Sequence, residues 1–179
     1  MFAEVRRDEI PDTLVTTYLE MTDREQFRPS LSNRTDVYVQ QMQTPDVDFY
    51  RFLYGAVGEK WRWRDRLVIS RSELLAELNR AEVSVYVLYV GGTPAGYVEL
   101  CDRDGDVEVA YFGLREQFFG QGLGKHLLSY GIGRAWDRGA YRVWLHTCNL
   151  DGPHALSNYQ RRGFRVYQRT VEPMPERYV

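Results

Sequence analysis

Three glycines stand in front of an amphipathic run in the stretch FFGQGLGKHLL, residues 118–128. The apolar residues that follow recur at spacings that share one helical face: Leu123, Leu127, Leu128 and Ile132. Gly120, Gly122 and Gly124 therefore lie at or just before a helix N-terminus, where backbone N–H groups lack partners and the helix dipole is positive. Because glycine lets a ligand approach the backbone closely, the pattern predicts a cradle for an anion, above all phosphate. A tight loop that needs positive φ explains the same glycines equally well.

Two other nucleotide-binding motifs fit this stretch less well. A Walker A loop needs four residues between its first glycine and the Gly-Lys pair, whereas Gly120 and Gly124 are separated by three. His126 also stands where that loop has the magnesium-binding Ser or Thr. A dinucleotide fingerprint reads G-x-G-x-x-G, and the spacing here is G-x-G-x-G.

The composition indicates one soluble domain, residues 1–179, since 44% of the residues are hydrophobic and 27% are charged. A net charge of -2 gives no general reason to expect a nucleic-acid partner. The stretch KWRWRDR, residues 60–66, mixes basic and aromatic residues as a nucleic-acid surface does. It is short and interrupted by Asp65, so we interpret it as a solvated face or a pocket wall.

The cysteine content and the lengths of the apolar runs indicate the cellular compartment of the protein. Cys101 and Cys148 are too few for a disulfide framework and lack the spacing of metal ligands, although one disulfide remains compatible with them. The N-terminal stretch MFAEVRRDEIPD has no apolar signal core, and no later run is long enough to span a membrane. We expect a cytoplasmic protein that binds neither a metal nor a membrane.

Secondary structure is predicted by turn, cap and periodicity signals. Residues 13–21 predict a strand and residues 36–43 an extended segment or a second strand. Residues 46–58 and 70–80 predict helices, the latter opening with the capping-box pair Ser70 and Glu73. From Val83 onward, alternating stretches separated by glycine turns predict a three-stranded antiparallel meander.

The remaining elements complete a mixed sheet. The glycine loop opens a helix that runs to about Arg138 and ends near Gly139. A strand at residues 141–148, a short helix at 153–162 with Pro153 in its first turn, and a strand at 163–171 follow. The order predicts an α/β (α+β) fold with a mixed, mostly antiparallel central sheet and flanking helices.

Two stretches in this order, VEVAYFGLREQFFGQGLGKHLL and RVWLHTCNLDGPHALSNYQRRGF, resemble the GNAT superfamily of N-acetyltransferases, which transfer an acyl group from acyl-CoA to an amine. The resemblance covers residues 83–171, and the first half of the chain matches only in having two helices before the meander. It implies a sheet splayed into a wedge, acetyl-CoA as co-substrate and an amine acceptor. Residues 1–82 would wall the acceptor site, and residues 83–179 would form the acyl-CoA core.

The resemblance also implies which residues bind the cofactor. The family's loop begins with Gln or Arg, and this chain has Phe119 at that position, while Gly122 and Gly124 match the family's glycines. The cradle acts mainly through backbone N–H groups, which remain. The implied cofactor-binding residues are Phe112, Gly113, Leu114, Phe119, Gly120, Gln121, Gly122, Leu123, Gly124, Lys125, Asn149 and Asn158. The family's spacing would put the first asparagine at Gly152 rather than at Asn149, so Asn158 is the alternative.

Catalysis on an amine calls for a base, because an alkylammonium has a pKa near 10.4, and for an acid to protonate the departing thiolate. By the resemblance, Tyr159 in the pattern A-x-x-x-Y-x-x-x-G-F is the acid, with simple packing as the alternative. Glu108 is the base, on a strand face that alternation would share with Ala110 and Phe112. Glu99 and His146 are alternative bases, and Glu108 could instead face solvent.

The acceptor and the partners stay open at this level. Aromatic residues beside Arg62, Arg64 and Arg66 would suit an acceptor with a carboxylate or a ring. The alternative is that the aromatic residues belong to the core and the arginines to the surface. A second function is a catalytically silent acyl-CoA sensor or partner-binding module, which Phe119 and the unassigned base motivate. The sequence leaves both a monomer and a homodimer open.

Overall fold

A seven-stranded sheet runs through residues 10–178, the part of the chain that the computed structural model describes. Its strands are β1 (Thr13–Met21), β2 (Val37–Gln41), β3 (Val83–Val90), β4 (Thr93–Arg103), β5 (Asp106–Leu114), β6 (Arg142–Cys148) and β7 (Arg165–Pro173). The helices are α1 (Val47–Gly58), α2 (Asp65–Val68), α3 (Arg71–Leu78), α4 (Leu123–Asp137) and α5 (Ala155–Arg161). Most of the stretch MFAEVRRDEIPD, residues 1–9, lies outside the described residues.

The predicted capping box at the start of α3 is confirmed. The N–H of Glu73 donates to the hydroxyl of Ser70 at 3.2 Å, and the N–H of Ser70 donates to the carboxylate of Glu73 at 2.8 Å. These two bonds satisfy backbone donors that have no partner within the helix. The signal depends only on residues three positions apart, which is why the sequence alone reveals it.

The predicted place of Pro153 in a helical turn is wrong. Helix α5 begins at Ala155, and the N–H of Ala155 donates to the carbonyl of Gly152 at 2.9 Å. Pro153 therefore occupies the second position of a turn that precedes the helix, where its fixed φ is equally favourable. The chain uses this turn to bring the start of α5 beside the end of β6.

The strand order is β2-β3-β4-β5-β6-β1-β7, with all neighbours antiparallel except β5 and β6. The parallel pair is joined at only three positions, the last being Glu108 opposite Trp144. Beyond that position the two strands separate and open a wedge, as the resemblance implies. Strand β1 lies between β6 and β7, so the first strand of the chain is built into the sheet beside its last strands.

Helices cover both faces of the sheet and bury two apolar clusters. Helix α4 packs on one face, where its buried Leu127, Leu128 and Ile132 contact residues of β4, β5 and β6. Helices α1 and α3 pack on the other face, where Leu53 and Leu74 share a cluster with residues of β3 and β4. Because both faces are covered, the opening between β5 and β6 is bordered by rigid elements.

A bulge in β5 overturns the predicted alternation of Glu108, Ala110 and Phe112. Tyr111 lies opposite Glu99, but Val109 lies opposite Leu100, so Ala110 is an extra residue without an opposite partner on β4. Side chains of a strand alternate between the two faces of the sheet, and an inserted residue moves every later side chain to the opposite face. Phe112 therefore packs on the α4 side, whereas Glu108 faces the side of α1 and α3 together with Tyr111.

Candidate active site

A cavity of about 700 Å³ fills the wedge between β5 and β6. It reaches from the glycine loop before α4 to aromatic residues that follow α1. The predicted cofactor-binding residues on its wall are Phe112, Gly113, Leu114, Phe119, Gly120, Gly122, Leu123, Gly124, Lys125 and Asn158. A single concave surface thus brings together residues from β5, α4 and α5.

Two different structural requirements explain why glycine occupies the three positions of the loop. Gly120 and Gly122 have φ values of 74° and 73°, a conformation that side chains with a Cβ rarely adopt. Gly124 lies inside α4 with no such requirement, and a Cβ there would meet only Leu114 at 3.8 Å and Asn158 at 4.0 Å. A tight loop therefore accounts for the first two glycines, and open access to the helix N-terminus accounts for the third.

The N-terminus of α4 is free to bind an anion. Its N-cap is Gly122, which has no side chain to accept from the N–H groups of the first turn, and that turn contains no acidic residue. Lys125 adds a positive charge to the same turn. Arg162 also lines the cavity, and its buried Nε and Nη1 atoms have no partner among residues 10–178. The N-terminus of α4 and Lys125 fit a pyrophosphate, and Arg162, to which no sequence motif points, adds a guanidinium to the same cavity.

Two of the implied cofactor residues face elsewhere. The side-chain carbonyl of Gln121 accepts a hydrogen bond from Arg34 at 3.0 Å on the surface. Asn149 joins the end of β6 to β1: its carbonyl accepts from the N–H of Val15 and its amide donates to the carbonyl of Thr13, both at 2.9 Å. The polar atoms of Asn149 are thus used by the fold, contrary to its predicted contact with pantetheine, and Asn158 is the asparagine at the cavity.

Tyr159 lies on the cavity wall between two aromatic rings. Only 8% of the residue is exposed, and its ring contacts those of Phe112 and Phe164 at centroid distances of 6.2 Å and 6.3 Å. Burial, together with the nearby carboxylate of Asp151, raises the pKa of its phenol well above the ordinary value. The phenol is therefore protonated at neutral pH, which is the form that a proton donor requires.

Glu108 and His146 stand where β5 and β6 part. The Oε1 atom of Glu108 is 3.8 Å from the Nε2 atom of His146. Burial raises the pKa of Glu108, while the neighbouring His146 and Arg103 oppose the increase. A carboxylate with a raised pKa is a stronger base, which suits proton transfer from an amine.

A smaller cavity of about 200 Å³ adjoins the first one. Glu108 lines the smaller cavity, and the residues that line both are Asp65, Ala110, Tyr111 and His146. The two cavities therefore adjoin at these four residues, and Glu108 lies on the side of the smaller one.

Glu99, the alternative base, is held by two other side chains. Its fully buried carboxylate accepts hydrogen bonds from the hydroxyl of Tyr50 and from Nη2 of Arg66, the latter at 2.7 Å. Arg66 also approaches Glu77 at 3.7 Å. Both oxygens of Glu99 are already bonded, and its charge is compensated by Arg66. Of the two candidate bases on β4 and β5, Glu108 is therefore the one available to accept a proton.

The basic and aromatic stretch after α1 forms a wall of the large cavity. Trp61 and Trp63 line it, whereas Tyr50 is completely buried in the core. The guanidinium of Arg62 donates to the carbonyl of Tyr178 at 2.9 Å and thereby holds the C-terminal segment against this wall. Two of the three arginines expected to bind an acceptor carboxylate, Arg62 and Arg66, are thus engaged within the protein.

The described part of the chain offers neither a cluster of metal ligands nor a membrane-spanning helix. Between residues 10 and 178, no three His, Cys, Asp or Glu side chains come together in a group that could hold a metal ion. Over the same residues, no helix combines the length and the apolar character needed to cross a membrane.

Comparison with protein families gives a match between residues 41–164 and the acetyltransferase (GNAT) family. This chain belongs to the GNAT acetyltransferase family. The matched region contains the cavity-lining strand β5, the glycine loop, α4 and Tyr159. No curated protein is similar enough in sequence to this GNAT domain to count as a relative.

Solved structures share the GNAT fold with this chain. A GCN5-related N-acetyltransferase from Sphaerobacter thermophilus gives a TM-score of 0.66 at 21% identity, over 90% of this chain and 51% of its own. The ribosomal-protein-S18-alanine N-acetyltransferase from Escherichia coli gives 0.58 at 16% identity, over 72% and 77%. An acetyltransferase from Bacillus subtilis in complex with CoA gives 0.57 at 22% identity, over 74% and 78%.

The matched structures differ in length from the GNAT domain described here. It spans 60%, 51% and 54% of the length of three of them. At identities of 18% to 21%, these likenesses show the fold.

Proposed function

We propose that this chain transfers an acetyl group from acetyl-CoA to a primary amine of a small molecule or a protein. The observation that carries the proposal is a pair of adjoining cavities. The larger joins the N-terminus of α4 to Tyr159, and the smaller is lined by Glu108. An anion cradle, an acid and a base would thus lie along neighbouring walls. Membership of the GNAT acetyltransferase family agrees with this arrangement.

The cofactor would lie along β5 and α4. The N–H groups of Leu123, Gly124 and Lys125 would bind the pyrophosphate, and the Arg162 guanidinium would add positive charge to the same cavity. The side of β5 that is free of β6 beyond Glu108 would offer its backbone to the pantetheine amides. Acetyl-CoA, when bound, supplies the thioester. Phe119, which is 43% exposed at the cavity, would give an apolar contact where the family's usual loop has a polar residue.

The acid and base act on opposite sides of the reacting carbon in a direct transfer. Glu108 accepts the proton that the acceptor nitrogen loses as its bond to the acyl carbon forms, and the exposed His146 passes protons to solvent. Tyr159 donates its proton to the sulfur as the carbon–sulfur bond breaks. The products are an amide and a thiol. The proton that leaves the nitrogen reaches solvent through Glu108 and His146, and a proton from solvent restores the Tyr159 phenol.

Titration calorimetry with acetyl-CoA, followed by a thiol-release assay over a panel of amines, tests the proposal. We expect saturable binding and release of one thiol for each amide formed. A matched control is Gln121→Ala, which lies in the glycine loop but directs its side chain to Arg34, and which should bind acetyl-CoA normally. Absence of acetyl-CoA binding would rule out the transferase, and binding without any thiol release would indicate a silent acyl-CoA sensor.

A further inference from the structure

The two ends of the large cavity carry opposite charges. Near the glycine loop, the wall contains Lys125, Arg161 and Arg162 as well as the positive end of α4. At the other end, where the smaller cavity adjoins, the carboxylates of Asp65 and Glu108 contribute to the walls. The polyanionic end of acyl-CoA matches the first region, so the second region is left for the acceptor.

The cation at the acceptor end is already neutralised. Arg66 has only 14% of its side chain exposed and bonds the buried carboxylate of Glu99, with Glu77 at 3.7 Å on its other side. A carboxylate on the acceptor would have to compete with both glutamates for this guanidinium. The other arginine on the wall, Arg103, is exposed, so water screens its charge.

The negative charge at this end is only partly balanced. The one basic group within salt-bridge distance of Glu108 in the described residues is His146 at 3.8 Å, which is uncharged unless protonated. Within residues 10–178, Asp65 approaches Arg177 at 3.7 Å, and water screens both charges because both side chains are exposed, so the retained charge is that of Glu108. The pocket therefore retains negative charge that a cationic acceptor would complement.

We propose that the acceptor is a compact primary amine that carries a second positive charge and no carboxylate, such as a short diamine or polyamine. The inference rests on the proposed function and narrows its substrate class. The smaller cavity of about 200 Å³ has room for about seven water-sized groups, which suits a short aliphatic chain. The expectation of an acceptor carboxylate bound by free arginines is replaced by the opposite charge preference.

Three ligands of equal chain length test the charge preference by calorimetry on the protein saturated with CoA: putrescine, butylamine and gamma-aminobutyrate. We expect putrescine to bind about tenfold more tightly than butylamine, and gamma-aminobutyrate to bind most weakly. Equal or tighter binding of gamma-aminobutyrate, or no binding of any of the three, would overturn the inference.

Variants that alter one charge locate the effect. Glu99→Gln and the more exposed Glu77→Gln both leave Arg66 less compensated, so each should shift the preference from putrescine toward gamma-aminobutyrate. Glu116→Gln makes the same change in net charge in an ion pair with Lys60 and away from the smaller cavity, so it should leave the preference unchanged. An equal shift in all three variants would assign the effect to net charge and overturn the pocket assignment.

The failure of this inference is distinct from the failure of the proposed function. If acetyl-CoA binds and gamma-aminobutyrate is acetylated in preference to putrescine, the transferase stands and the cationic acceptor class is wrong. If acetyl-CoA does not bind, the proposed transferase itself is wrong. Measuring acetyl-CoA affinity before the amine series separates the two cases.

Discussion

The guanidinium of Arg66 and the carboxylate of Glu99 form a buried ion pair, with Nη2 and Oε1 separated by 2.7 Å. The pair joins the four-residue helix α2 to the central strand β4, and the hydroxyl of Tyr50 donates to the same carboxylate. A buried carboxylate that loses its partner lowers the free energy of unfolding, because its charge stays in the interior, where water cannot solvate it. The pair therefore holds Arg66 and Glu99 in one wall of the smaller cavity, where their charges compensate each other.

Replacing Arg66 should destabilise the fold through Glu99. In Arg66→Met the carboxylate remains buried without a counter-charge, and we expect the free energy of unfolding to fall by about 3–5 kcal/mol. Burial already raises the pKa of Glu99, and loss of Arg66 raises it further. The variant should regain stability as the pH falls through that raised pKa, since the folded state then binds the proton more tightly than the unfolded state does.

Denaturant unfolding over a range of pH measures this effect. The control is Arg71→Met, which breaks the exposed ion pair with Asp48 and should leave the free energy of unfolding unchanged within error. The double variant Arg66→Met, Glu99→Gln should recover part of the loss, because it removes the unpaired charge. If both single variants are equally stable, the buried pair contributes nothing to the fold.

Gly124→Ala should abolish acetyl-CoA binding without loss of stability. Its new Cβ finds only ordinary van der Waals contacts with Leu114 and Asn158, but it projects at the cavity where the ligand would approach the helix N-terminus. Alanine also favours the helical backbone by about 0.5–1 kcal/mol. Thermal unfolding and calorimetry with acetyl-CoA measure the two effects separately.

Gly133→Ala is the matched control for Gly124→Ala. Both glycines belong to α4, and a Cβ on Gly133 would meet only Phe27 at 3.9 Å, away from the cavity. This variant should keep wild-type affinity for acetyl-CoA. Normal binding by Gly124→Ala would show that the cofactor does not approach the first turn of α4.

Tyr159→Phe should reduce turnover far more than acetyl-CoA affinity. The ring packing against Phe112 and Phe164 is retained, while the proton donor is lost. General acid catalysis contributes about a hundredfold or more, so we expect kcat to fall by at least that factor. Pre-steady-state thiol release and calorimetry supply the two measurements. An unchanged kcat would leave Tyr159 with a packing role only.

The pH dependence of turnover should reflect the ionisation of the Glu108 carboxyl group. Burial raises the pKa of Glu108, and the side chain acts as a base only when it is ionised, at a pH above that pKa. The value of kcat/KM should therefore rise with pH along a low-pH limb, and the midpoint of the rise should lie above the usual glutamate pKa of about 4.3. His146 opposes the increase when it is protonated, so His146→Gln should move the limb to higher pH. Glu108→Gln should remove the limb and most of the activity.

The control for this profile is Glu99→Gln. Its carboxylate is bonded to Arg66 and Tyr50, so the position of the low-pH limb should stay close to that of the wild type. If the limb disappears in Glu99→Gln and persists in Glu108→Gln, the two carboxylates have exchanged roles, and Glu108 is not the base.

Signals between residues close in sequence predicted most of the elements. The capping pair Ser70 and Glu73, the glycine turns of the meander and the helix after Gly122 all depend on chemistry within a few positions. The short helix was predicted to include Pro153 because proline suits a first helical turn and a β-turn equally. Local preference does not distinguish these two uses.

The spacing of residues along single segments predicted most of the elements, the glycine loop before α4 and the place of Tyr159 on the short helix. The tertiary structure decided the rest of the site. The bulge at Ala110, which turns Glu108 away from the face of Phe112, appears only in the pairing of β5 with β4. The bonds of Arg66 to Glu99 and of Asn149 to β1 join residues 33 and more than 130 positions apart. Such contacts depend on how elements pack, and no local pattern encodes their partners.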